Sequence, residues 1–195
     1  MAKADPDASK RERNKTIRWV ITIFLVTILI SGMISLISDE VMERSGLLIA
    51  FVILLAIVLV GIIFDIIGMA VATADEKPFH SMAARKVPGA QESIRLLRNA
   101  ERVSSICNDV VGDICGVVAG AASATVAAQL IGNFSFSWPD VISLALSALV
   151  AGLTVGGKAI GKTFAINSCT KIVHSVGKFI YTLRNIPTLF RKRKR

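Results

Sequence analysis

The chain has 195 residues, 53% of them hydrophobic and only 19% charged, with a formal net charge of +9. Its mean hydropathy of +0.61 excludes an ordinary soluble domain of this size. The apolar residues fall in long blocks with the charges between them, the pattern of a bilayer protein.

Residues 1–18, MAKADPDASKRERNKTIR, form a basic leader expected to be disordered to about Lys10. An apolar run from Trp19 to about Ile37 follows and is long enough to span about 30 Å of hydrocarbon. A basic leader before an apolar run also fits a signal peptide, but this run is long for one and lacks a clean small-x-small cleavage site. Residues 19–46 are therefore read as an N-terminal span and its outer turn, the turn being the acidic link 38–46.

Residues 47–162 read as one membrane domain, with spans over about 47–73, 103–131 and 139–160. The polar segment 74–102 is broken by Pro78, Pro88 and Gly89, after which Ala90–Arg102 forms an amphipathic helix running unbroken into the third span. GNFSFSWPD is a second short outer turn, with Trp138 suited to the interface. Residues 163–195 form a basic tail whose Ile172, Val176, Phe179, Ile180 and Leu183 recur at helical spacing. This predicts an interfacial amphipathic helix ended by Pro187, with RKRKR closing the chain.

The fold class is thus all-α, a polytopic membrane helical bundle with about four transmembrane helices and juxtamembrane amphipathic helices. The leader, the 74–102 segment and the tail are rich in Lys and Arg, whereas the two short links contain only Arg44. The positive-inside rule then places both termini in the cytoplasm of a multi-pass cell-membrane protein. The tail is expected to contact anionic lipids, at about 1 kcal/mol per charge near the leaflet, or to serve as a topology anchor. No aromatic-interleaved basic domain points to nucleic acid.

Three carboxylates fall inside predicted spans: Asp65, Asp109 and Asp113. An ionised Asp at a helix centre costs about 2.5–3.5 kcal/mol, so such residues usually face an interior. Asp109 and Asp113, a turn apart, are expected to share a face, with Asn108, Ser104 and Ser105 nearby. Hard divalent cations prefer such oxygen ligands. A cation or proton site, an internal pair with Lys158 or Lys162, and solvation at the interface all fit. Gly112, Gly116 and Gly120, and the pairs Gly152/Gly156 and Gly157/Gly161, have the spacing that lets helices approach closely. They are expected to bring the third and fourth spans together. Cys107, Cys115 and Cys169 imply no disulfide framework, and His80 and His174 are isolated. No nucleophile–base set or metalloprotease pattern is visible, so an enzyme is the least expected reading.

Residues 90–106, AQESIRLLRNAERVSSI, the Gly112–Asp113 pair and the stretch Gly157 to Thr163 resemble, in order and spacing, the transmembrane domain of the CNNM/CorB/CorC magnesium and cobalt transporters. The resemblance covers about residues 47–185, without the paired CBS modules of full-length relatives. It implies a homodimer and a dehydrated site for Mg2+ or Co2+ as the bound or transported ion. Carried over, that site takes Asp65, Gly112 and Asp113, with Asn108 or Asp109 at an inward vestibule. Lys158 stands at the family's Glu position, Gly161 at its Pro and Gly68 about where it often has Glu. An ammonium cannot ligate a cation. Two functions are therefore expected: a CNNM/CorB-like cation binder or transporter, or a non-transporting interaction or accessory protein with an Asp–Lys pair in the bundle.

Overall fold

A computed structural model describes residues 6–134 and 138–192 and is all-α, with no strand among the described residues. Four helices are long and apolar enough to cross a membrane, so the chain is a membrane helical bundle.

Helix α1 runs Pro6–Arg44, beyond the expected span at both ends. Proline is tolerated in a first turn, and SKRERNK and EVMER are rich in helix formers, so the leader from Pro6 and most of the acidic link join the helix. Residues 1–5 lie outside the described residues. The turn to α2, Leu47–Thr73, is thereby reduced to Ser45 and Gly46, and α2 coincides with the predicted second span. In the polar segment Pro78 starts a helix instead of breaking one, lying in the first turn of α3, Lys77–Ala84. Pro88 and Gly89 do interrupt the chain, Gly89 at φ +87°, and α4 spans Ala90–Arg98.

The expected unbroken passage from α4 into the third span does not occur. Asn99 leaves helical geometry at φ −115° and its side chain donates back to the Arg95 carbonyl at 2.9 Å. A new helical stretch then runs from Ala100 to Asn133: α5 (Ala100–Ser105), a π-helical segment (Ile106–Gly112) and α6 (Asp113–Asn133). Residues 135–137 of the second outer turn lie outside the described residues. Helix α7, Pro139–Asn167, is longer than expected because Thr163–Ile166 continue it. After Ser168, α8 runs Cys169–Lys192, so Pro187 does not end the tail helix. The last three residues of RKRKR lie outside the described residues.

Helix α2 is the centre of the bundle, packed against α6, α7 and the π segment. Its Ala50, Leu54 and Val58 are buried with Ala119, Ala122 and Val126 of α6 and Val150 of α7. Between helices in lipid, close van der Waals fit replaces water exclusion as the driving force. Accordingly, a Cβ on Gly61 would lie 2.8 Å from the Cys115 Cβ, and one on Gly161 2.7 Å from Ile66 Cγ1. Gly157 meets Ile62 in the same way. The glycines therefore fit α6 and α7 to α2, whereas the expected role at an α6/α7 seam fails for most of them. Gly116, Gly120, Gly152 and Gly156 have nothing within 4 Å of an added Cβ. The third and fourth spans nevertheless pack together as expected, with Ser123 and Ser147 at 3.5 Å and Lys158 at 4.0 Å from Asp113, and a groove of about 530 Å³ opens beside that contact.

Helix α1 is peripheral, with Ile23 against the buried Val110, Ile114 and Val118. It is held at one end by Gln129, whose side chain donates to the Met42 carbonyl at 2.6 Å, and near the other by Arg102 over the Trp19 ring at 5.8 Å. Helices α3, α4 and α8 form a layer over the far end of α2, burying Phe79, Ile94, Leu97 and Val173 with Ala70, Val71 and Ala165. Ser93 pins α8 to α4 by donating to the carbonyls of Gly89 (3.0 Å) and Val173 (3.1 Å).

Candidate functional site

The charged residues of the bundle lie at a common depth. Asp65 is about 27 Å along α2 from Leu47, Lys158 about 28 Å along α7 from Pro139, and Asp113 about 30 Å along α6 from Asn133. Those three starting points share the end of the bundle closed by the Gln129–Met42 bond. All three charges therefore occupy one level, near the edge of a hydrocarbon core about 30 Å thick, on the side of the α3–α4–α8 layer.

Asp65 is 5% exposed, and its Oδ2 is buried without a hydrogen-bond partner. The neighbouring position on the π segment is Gly112. A Cβ there would lie 3.4 Å from Lys158 Nζ and 3.9 Å from Asp65 Oδ1, so the glycine leaves open the point that ammonium and carboxylate flank. Lys158 Nζ donates to the Gly112 carbonyl at 3.3 Å and reaches Asp113 Oδ1 at 4.0 Å. The Asp113 side chain is 74% exposed against 22% for Lys158, so at 4.0 Å this is a loose pair. Among the described residues the buried Asp65 makes no ion pair within 4.0 Å, and it faces the ammonium across the open position at Gly112.

Asn108 lies one turn from Gly112 and fills the space above Gly68, where an added Cβ would overlap its Oδ1. That oxygen is also buried and bare, while Nδ2 donates to Ser104 Oγ at 3.4 Å. Gly68, in the sequence only a departure from the family pattern, is thus the residue that lets α2 and the π segment close around Asn108. Asp109 does not join the centre. It is exposed and lines a separate recess with Ala72, Ala100, Glu101, Ser104 and Ser105. The expected common face of Asp109 and Asp113 is not realised, since Asp113 borders the groove between α6 and α7 instead.

No family model, curated protein or solved structure matches the chain. The site must be judged on its own chemistry.

Among the described residues no three His, Cys, Asp or Glu side chains converge as a metal centre would require. Of the five residues expected to ligate, Asp65, Gly112 and Asp113 meet at Lys158, Asn108 packs one turn away and Asp109 faces elsewhere. The Gly112 carbonyl, a natural cation ligand, is already taken by an ammonium. This donor set does not fit a divalent ion with Lys158 in place. What it does fit is a tethered cation held between a buried and an exposed carboxylate.

Proposed function

We infer that the chain is a non-transporting membrane interaction or accessory protein with a CNNM/CorB-like bundle, its termini in the cytoplasm. The observation carrying this reading is Lys158 Nζ on the Gly112 carbonyl, between Asp113 and Asp65. The lysine supplies from within part of the positive charge that a transported divalent cation would bring. A fixed ammonium offsets one carboxylate and does not leave, whereas conduction needs an ion that can.

A second reading is binding or transport of Mg2+ or Co2+. It is favoured by the bare, buried oxygens Asp65 Oδ2 and Asn108 Oδ1, which would need Lys158 to swing aside. Uptake of Mg2+ and Co2+ into liposomes containing the purified protein separates the two. No uptake above protein-free liposomes is expected from the native chain. Flux abolished by Asp65→Asn would overturn the first reading and establish the second.

A further inference from the structure

Helix α8 has two sides with different partners. Val173 and Gly177, one turn apart, are buried against α4, where a Cβ on Gly177 would come within 2.6 Å of the Gly89 carbonyl oxygen. Phe179 and Leu183 lie on the neighbouring stripe with Ile172 and Val176. The stripe begins partly buried, then emerges: Phe179 is 63% exposed and Leu183 50%. Lys171 and Lys178, two turns apart and both exposed, flank it on the outer side. Arg184 instead lies on the α4 side, in a recess that also contains Glu92.

Two further facts identify what covers this stripe. Helix α8 starts two residues after α7, a candidate membrane span, so it lies at the level where that span leaves the bilayer. Residues 141–195 contain no Asp or Glu, so α8 itself carries only positive charge. A helix with emergent apolar residues and flanking lysines seats its apolar side among acyl chains while the lysine stems reach the headgroups.

We propose that α8 is an anionic-phospholipid-binding element, with Phe179 and Leu183 in the leaflet and Lys171 and Lys178 on the phosphates. This assigns lipid recognition to the middle of the helix rather than to the closing RKRKR run. It depends on α7 crossing the bilayer and is independent of what Lys158 does.

The test uses the full chain in liposomes with Trp19→Phe and Trp138→Phe, and Phe179→Trp as the reporter. Brominated phosphatidylglycerol and brominated phosphatidylcholine, each titrated into unbrominated phosphatidylcholine, serve as quenchers. Both leaflets have one composition, so the direction of insertion does not matter. Each lysine near the leaflet enriches anionic lipid about fivefold. Half-maximal quenching is therefore expected at a mole fraction on the order of tenfold lower for the anionic lipid. Lys171→Gln with Lys178→Gln should shrink that difference to less than about twofold. Equal quenching by the two lipids, or a preference that survives the double variant, overturns the proposal. So does quenching by neither, which would mean a protein surface covers the stripe. Leu183→Trp provides a second reporter should the first disturb folding.

Discussion

Replacing Lys158 with Met keeps the length of the stem and removes the charge, which isolates the role of the ammonium. Asp65, 5% exposed, then loses the ammonium that faces it across Gly112. Leaving a buried charge uncompensated costs about 3–5 kcal/mol, so Lys158→Met should destabilise the bundle by up to about that much. Asp65→Asn in the same chain should restore most of that. Asp113→Asn should change stability by at most about 1 kcal/mol, because its side chain is 74% exposed. The assay is a double-mutant cycle on unfolding in detergent. It should give a coupling above about 2 kcal/mol for Asp65 with Lys158 and below about 1 kcal/mol for Asp113 with Lys158. Coupling that is greater for Asp113, or Asp65 and Lys158 effects that add within about 0.5 kcal/mol, would refute the assignment of the ammonium to Asp65.

The glycines provide a matched pair: Gly68→Ala drives a methyl into Asn108 and should cost about 1–3 kcal/mol, whereas Gly116→Ala meets nothing and should stay within about 0.5 kcal/mol. Thermal unfolding of both, with Gly68→Ala repeated in an Asn108→Ala chain to relieve the overlap, checks the fit of α2 to the π segment. For topology, single cysteines are placed in a chain with Cys107, Cys115 and Cys169 changed to Ser. Ser45→Cys should react with an impermeant maleimide on intact cells and Ser175→Cys only after permeabilisation, and the opposite pattern would invert the proposed orientation.

The spans were legible because apolar block length needs no tertiary information. Helix α2, uninterrupted but for Asp65, matched its predicted bounds. Boundaries were less legible wherever strong helix formers carried a helix past its apolar block, as at Ser9–Lys15 and Glu40–Arg44. Pro78 illustrates the same limit, because a proline ends the helix before it or opens the helix after it, and here Phe79–Ala84 take up helical geometry beyond it. Spacing alone could not tell which glycines pack. Gly157 and Gly161 meet Ile62 and Ile66 on α2, while Gly116 and Gly120, equally spaced, border an open groove. That outcome depends on which face of each helix turns to α2, and only the assembled bundle decides it.

The charged residues show why a rule about intramembrane carboxylates has to be applied residue by residue. Asp65, Asp109 and Asp113 are chemically alike and lie at nearly one depth, yet they end in three environments. Asp109 is exposed in its own recess, Asp113 is exposed beside the groove, and Asp65 alone of the three is enclosed. The full penalty for a charge in hydrocarbon thus falls on Asp65, and the flanking cation is a lysine. Here Lys158 Nζ stands on the Gly112 carbonyl at 3.3 Å and 4.0 Å from the exposed Asp113, with the enclosed Asp65 facing it across the open position at Gly112. A path for cations would first have to displace that tethered ammonium, which favours a fixed internal charge centre.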